Sequence, residues 1–387
     1  MAEPVLTDIT SKLPDVGTTI FTVMSAVAAE HNAINLSQGF PDYDGPEYLL
    51  DALARRVKDG NNQYAPMAGV MALREQIGAK LRRFYDLDVD PGSEITIVPG
   101  ATEAIYCAIT ACVHPGDEVI VFDPCYDSYG PGIELSGGVI RHVAMRELDF
   151  SIDWDEVEAT ISGRTRMIII NSPHNPSGSI LRDVDLRRLE SIATRHGLLV
   201  VSDEVYEHLI FDGEEHCSVL KYPGLRERSF AAFSFGKTYH ITGWKTGYCV
   251  APPALTAEMR KIHQFVTFVA VTPVQMALAD FMAADPEFPA GLAEFYRKKR
   301  DLFCDAIGPS RFGLARCAGT FFQLLDYSDI SSEADTDLAI RFVREYGVAS
   351  IPISVFCARP PEGKHLRFCF AKSDQMLLQG AEILCTI

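Results

Sequence analysis

The chain is predicted to fold as an α/β protein: a mostly parallel sheet covered by helices on both faces, with a smaller α+β domain appended. Three observations predict it. Short apolar runs alternate with helical patterns between about residues 46 and 285. Runs such as Ile168-Ile169-Ile170 and Leu198-Leu199-Val200-Val201 are continuously apolar, as in strands buried on both faces. Beyond about residue 285 the alternation breaks down into one long charged helix and a few strands.

The elements follow in order. Residues 1–45 read as a mixed, turn-rich arm ending in Gly39-Phe40-Pro41-Asp42. Helical patterns cover 49–59 and 70–85. A short strand over 94–98 is stopped by Pro99-Gly100, and a helix over 102–113 is stopped by Pro115-Gly116. Residues 118–122 form a buried-type strand. Strands over 167–171 and 198–202 flank a helix over 182–196, which Gly197 ends. Strands over 230–234 and 248–251 precede a helix over 258–269. The last third holds a charged helix over 294–307 and strands over 319–326 and 366–370, with a helix near 337–346 between them. The expected division is an arm (1–45) joining a small C-terminal domain (286–387), with a large domain (46–285) between.

The composition narrows the function. Of 387 residues, 35 are basic and 52 acidic, a net charge of −17. Nucleic-acid binders carry basic surfaces, and the Arg/Lys runs here lie in amphipathic stretches that read as solvated helix faces. The ten cysteines form no Cys-x-x-Cys pair, so neither a zinc site nor a disulfide framework is indicated. The N-terminal residues lack a basic and apolar leader pattern, and no apolar run approaches the roughly 20 residues of a membrane helix. The expectation is a reduced, cytoplasmic protein that needs no metal.

Polar motifs gather at the carboxyl ends of the predicted strands, where open α/β sheets bind ligands. Ser234-Phe235-Gly236-Lys237-Thr238 resembles the tail of a P-loop, but the glycine that motif requires is Ala231 here. The other reading is a lysine whose amine condenses with an aldehyde cofactor, close backbone approach being permitted by Gly236. Asp203 ends a strongly apolar strand, where a carboxylate is costly unless paired. It fits a protonated pyridine nitrogen or, equally, the cap of the next helix. Tyr206, three residues on, fits either a cofactor's ring hydroxyl or ordinary packing. Asn171–Gly178 is a rigid turn in which Asn175 precedes a proline. Gly100-Ala101-Thr102 opens a helix, a ready phosphate site, with Thr102 also a natural N-cap. Lys245 offers a point charge to such a phosphate, and Tyr126 a face to stack on. Arg367 lies mid-way along an apolar strand, so it needs a partner: a substrate carboxylate or an internal acid.

With these residues in order, the chain resembles the fold-type I, class I and II aminotransferases along essentially its whole length. Within them it is similar to the methionine-preferring bacterial branch and its kynurenine/glutamine relatives. The motifs that carry the resemblance are Asn35–Asp42, Asn62-Gln63-Tyr64, Gly100–Glu103, Asn171–Gly178, Ser202–Glu207 and Ser234–Tyr248. The resemblance implies a mostly parallel seven-stranded sheet and pyridoxal 5′-phosphate as cofactor. It implies that Lys237 is the Schiff-base lysine and proton shuttle, that Asp203 pairs the pyridinium, and that Asn175 and Tyr206 hold the ring hydroxyl. Tyr126 would stack on the ring, and Ala101, Thr102, Ser234 and Lys245 would bind the phosphate. Tyr64 would reach the phosphate of a neighbouring subunit, which implies a homodimer with shared sites. Gly39 by its backbone, Asn175 and Arg367 would hold the substrate α-carboxylate. Many relatives have arginine where Lys245 stands; lysine is the kynurenine-type choice.

The implied activity is ping-pong transfer of an amino group from methionine or another neutral or aromatic amino acid to a 2-oxo acid. No second cation for a distal carboxylate is identifiable, and the stretch around Ile20-Phe21 is expected to help form an apolar pocket. The same residues would also support β-elimination of cysteine conjugates. A non-enzymatic regulator that binds the same cofactor is the alternative of another class; about 35 residues precede Gln38-Gly39, short for the DNA-binding extension such proteins carry.

Overall fold

A computed structural model describes residues 10–387; the first nine residues of the expected arm lie outside the described residues. Seven strands form the principal sheet: β1 (Ile95–Val98), β2 (Glu118–Asp123), β3 (Val139–Ala144), β4 (Thr165–Asn171), β5 (Leu199–Asp203), β6 (Ser229–Ser234) and β7 (Gly247–Val250). Their order is β1-β7-β6-β5-β4-β2-β3, and only β7 runs antiparallel to its neighbours. The predicted α/β class and mostly parallel sheet are therefore observed.

The continuous apolar runs have the cause read from the sequence. Successive strand residues point to opposite faces, and both faces are covered. Ile168 and Ile170 of β4 join one cluster of buried side chains, while Met167 and Ile169 join the other. The second cluster lies under the helix Ala101–Cys112, which packs across β5, β6 and β7.

A second, four-stranded sheet follows: β8 (Gly313–Leu314), β9 (Phe322–Asp326), β10 (Ile351–Pro352) and β11 (His365–Cys369), in the order β10-β11-β9-β8 and antiparallel. Its core takes in Met24, Ala28 and Leu36 from the N-terminal stretch, and Ile34–Asn35 pairs in parallel with Val348–Ala349.

Nine helices matter below: α1 (Ile20–Glu30), α2 (Glu47–Lys58), α3 (Met71–Tyr85), α4 (Ala101–Cys112), α5 (Asp183–His196), α6 (Pro253–Val266), α7 (Thr272–Ala284), α8 (Leu292–Ile307) and α9 (Asp374–Leu384). Gly197 ends α5 in the left-handed region, as expected. The helix expected over 258–269 starts five residues earlier, because Pro253 serves at its first turn. Three features were not expected. α1 interrupts the turn-rich arm; its Ala/Val-rich sequence carries no polar stripe. α7 is apolar on nearly every side because it lies sandwiched between α2 and α3, with Asp280 held by Arg56. β3 is an edge strand, largely exposed, so its sequence lacks the buried signature. The strand expected over 319–326 begins only at Phe322, since Thr320 sits at φ +67°.

Among the described residues, no helix is long and apolar enough to cross a membrane, and no group of three or more His, Cys, Asp or Glu side chains is placed to hold a metal. All ten cysteines are free.

Candidate active site

Five strand ends, the start of β7, the N-terminal stretch and one strand of the second sheet converge on one cavity of about 240 Å³. The turn after β1 brings Gly100, Ala101 and Thr102. β4 brings Asn171 and Asn175, β5 brings Asp203 and Tyr206, and β6 brings Ser234 and Lys237. Tyr126 follows β2, Lys245 precedes β7, Gly39 comes from the N-terminal stretch and Arg367 from β11. Every candidate site residue except Tyr64 therefore lines the same cavity.

Lys237 sits in a single helical turn after β6, and Gly236 before it is obligatory: a β-carbon there would lie 2.9 Å from Thr242 Cα. Its Nζ donates to the Gly39 carbonyl at 2.7 Å. Burial lowers the amine's pKa to about 8, assisted by the positive charges of Arg367 and Lys245. An amine so placed loses its proton readily and becomes a nucleophile and base.

Asp203 is the complement. Burial raises its carboxyl pKa to about 6, opposed by the Tyr129 hydroxyl, which donates to Oδ2 at 2.7 Å, and by the Val205 N–H. No ion pair reaches it among the described residues. It does not cap a following helix; the segment 205–208 is a run of turns. Asn171 donates its side-chain N–H to the Asp203 carbonyl and accepts from the Asn175 N–H, so one amide fixes both residues. Tyr206 is buried edge-on against Phe321 and Phe322, and burial raises its phenol well above the usual range. Burial likewise pushes Tyr126 up to about 12, so both phenols keep their protons.

Arg367 is 1 % exposed. It donates to Asn175 Oδ1 at 2.7 Å and to the Ser37 carbonyl at 3.0 Å, while Nε has no partner. The guanidinium lies 4.0 Å from the Phe322 ring centroid, with Phe21 and Phe356 beyond. Among the described residues no internal acid bonds to it, Asp127 acting on it only at longer range, and burial pulls the guanidinium's pKa down to about 10. Gly39 packs so close to Phe322 that a β-carbon would fall 2.8 Å from its Cζ.

The opposite end suits an anion. The first N–H groups of α4 open into the cavity beside Ser234, and Lys245 Nζ donates to Thr102 Oγ1 at 3.1 Å. The cavity thus offers a nucleophilic amine, a carboxylate without a cation, a guanidinium without an anion and an anion cradle.

Tyr64 lies outside, 84 % exposed and edge-on to Phe268. Sequence reasoning missed Tyr129, the donor to Asp203, and Phe322, the platform under Arg367. Neither sits in a motif; Tyr129, three residues after Tyr126, carries no signal of its own.

A family model described as aminotransferase class I and II matches residues 31–384. The chain is 54 % identical to methionine aminotransferase of Escherichia coli (strain K12), over 97 % of both chains. It is 31 % identical to kynurenine–oxoglutarate transaminase of Dictyostelium discoideum, over 95 % of this chain and 94 % of that one. A crystal structure from Escherichia coli, reported to identify a methionine aminotransferase function, superposes with a TM-score of 0.96 at 53 % identity, covering 98 % of this chain and 99 % of that one.

Proposed function

The chain belongs to the class I and II aminotransferases, enzymes that use pyridoxal 5′-phosphate, and from that premise we propose that it transfers the amino group of methionine and other neutral or aromatic amino acids to a 2-oxo acid. The observation that carries the substrate class is the cavity wall. Among the described residues its cations are Lys237, Lys245 and Arg367, and its remaining lining includes Phe21, Phe40, Ile105, Val205 and Phe322. With Arg367 taken by the α-carboxylate, a second carboxylate meets no guanidinium, whereas a thioether or aromatic side chain meets apolar surface.

The residues fit the cofactor. Asp203 is a buried carboxylate that lacks a cation, Lys237 is an amine of lowered proton affinity, and the α4 N-terminus with Lys245 is a cradle for a phosphate. Bound, the cofactor supplies an aldehyde for the amino group and an electron-withdrawing pyridinium ring. Lys237 would hold it covalently and Asp203 would pair the ring nitrogen. Asn175 and Tyr206 would hold the ring hydroxyl, and Tyr126 would cover one ring face. Ala101, Thr102, Ser234 and Lys245 would bind the phosphate. Arg367 and Asn175, with the Gly39 backbone, would hold the substrate α-carboxylate and so aim the α-hydrogen at Lys237. Once the substrate amine has displaced it from the cofactor, Lys237 Nζ, unprotonated in part near neutral pH, would take that proton and return it to the cofactor's aldehyde carbon, on the far side of the transferred nitrogen. The first product leaves before the second substrate binds, so parallel double-reciprocal plots are expected.

The proposal includes a cytoplasmic homodimer with shared sites and a division into an arm (1–45), a large domain (46–285) and a small domain (286–387). Support for the dimer comes from the exposed pair Tyr64 and Phe268 and from the further exposed apolar side chains Phe265, Val271 and Met71. Support for the division comes from the common core of Met24, Ala28 and Leu36 with α8, α9 and the second sheet.

Steady-state rates test the substrate class. The kcat/KM for methionine and phenylalanine should exceed that for aspartate by at least about 100-fold, on the order of one lost carboxylate contact. A preference for aspartate would overturn the reading.

A further inference from the structure

The helix that opens the phosphate cradle carries an acid in its first turn. Glu103 directly follows Ala101 and Thr102 and is buried. A negative charge there opposes a bound phosphate unless something cancels it. The partner is His263 of α6, fully buried, with Nδ1 2.6 Å from Glu103 Oε1; Thr267 donates to Oε2 at 3.0 Å. The other ring nitrogen, Nε2, lies 3.1 Å from the Met67 carbonyl. A carbonyl only accepts, so Nε2 carries hydrogen, and a hydrogen must also lie between Nδ1 and Oε1. Whichever atom owns that hydrogen, ring and carboxyl together are neutral. The bridge removes the charge of Glu103 without removing its hydrogen bonds.

Met67 belongs to the loop behind Tyr64, and that loop is built rather than loose. Thr272 donates to the Gln63 carbonyl at 2.7 Å and accepts from the Ala65 N–H at 3.1 Å. Gln275 accepts from the Val70 N–H at 2.8 Å. His263 supplies the remaining side-chain anchor, and the Phe268 against which Tyr64 rests donates its N–H to the His263 carbonyl at 3.0 Å. A pinned loop with an exposed tyrosine at its tip is pre-organised for a partner surface.

We propose that His263 is a positioning residue joining two half-sites: through Glu103 it fixes the phosphate cradle of its own subunit, and through Met67 it fixes the Tyr64 loop that completes the cradle of the partner subunit. The inference rests on the proposed homodimer in which Tyr64 crosses between subunits.

Hybrid dimers test it. One subunit carries Lys237→Ala, so cofactor joins covalently only in the other. His263→Phe, which keeps the ring and removes both hydrogen bonds, is placed either in the loaded subunit or in the Lys237→Ala subunit. The apoprotein is titrated with pyridoxal 5′-phosphate and read by the visible absorbance of cofactor held at Lys237. Against a hybrid with Lys237→Ala alone, the dissociation constant should rise about 10-fold in both arrangements, the scale of one or two lost hydrogen bonds. A rise only when His263→Phe is in the loaded subunit overturns the link between sites. No rise in either overturns the positioning role. Because His263→Phe strands the acid, the same hybrids are made with Glu103→Gln beside it, which removes the charge and restores no bond to Met67. Glu103→Gln alone should stay within about threefold of wild type, since its amide can donate to Nδ1 and still accept from Thr267; weakening equal to that of Glu103→Ala contradicts the neutral bridge. Tyr64→Phe in the Lys237→Ala subunit checks the underlying reading separately: no effect there removes Tyr64 from the partner's site, while a protein that remains monomeric overturns both.

Discussion

Arg300 and Arg367 are both fully buried guanidinium groups, and they are held in opposite ways. Arg300 of α8 forks onto Asp212 at 2.6 and 2.8 Å, reaches Asp301 and donates to the Cys317 carbonyl. Burial pulls its pKa down, but the bonds to Asp212 and Asp301 outweigh burial and leave it above its ordinary value. Among the described residues Arg367 bonds only to neutral acceptors and keeps an unpartnered Nε. The segment 203–207 repeats the contrast within a few residues. Glu207 is matched internally by Lys80 and Tyr85, and Glu204 by His216 and Ser202. Asp203, on the cavity, forms no ion pair among the described residues. A buried charge satisfied by the chain is scaffold, whereas one left open marks where a ligand must complete it.

The contrast is broken most severely at Lys237. Lys237→Ala should lower transamination by at least about 10⁴-fold, since covalent attachment and proton transfer are lost together. Asp203→Asn comes next, with kcat/KM falling about 10²- to 10⁴-fold, the scale of the roughly 3–5 kcal/mol lost when a buried pair loses one partner. The same change should stabilise the apoprotein. The Asp203 pKa is raised from its ordinary 3.8 to about 6, so the folded state holds a proton that the unfolded chain has released, and stability falls as pH rises through that window. Near pH 7 the gain is about 3 kcal/mol; it vanishes below about pH 4. Thermal denaturation of both apoproteins against pH measures it, and an Asn variant less stable at pH 7 would contradict the account.

Paired substitutions sharpen the contrast. Arg367→Met should cut kcat/KM for amino acids by on the order of 2–5 kcal/mol of binding and leave the apoprotein melting temperature unchanged or higher. Arg300→Met should do the reverse, with activity kept and about 1–3 kcal/mol of stability lost. The smallest effect is expected at Tyr129. Tyr129→Phe removes one neutral donor, worth about 1 kcal/mol, from the Asp203 carboxylate. It raises that group's pKa further and should move the acid limb of the pH–rate profile upward.

Much of this was legible in the sequence for a physical reason. Strands buried on both faces must be apolar throughout, so β4 and β5 announce themselves, and polar residues at their carboxyl ends stand out. β3 and α7 were not legible: one is an exposed edge, the other apolar on nearly every side, so neither shows a period. Arg367 was recognisable as a charge in an apolar strand, but only the fold shows that no acid meets it. Tyr129, Phe322 and the Glu103–His263 bridge depend on contacts between distant segments that no local pattern encodes.

Cofactor attachment at Lys237 is read from the visible absorbance spectrum of the purified protein, before and after methionine, for wild type and Lys237→Ala. The wild type should show a cofactor band that methionine bleaches, and the variant no such band. A wild-type protein that shows no band even after pyridoxal 5′-phosphate is added, or an equal band in Lys237→Ala, would contradict that attachment.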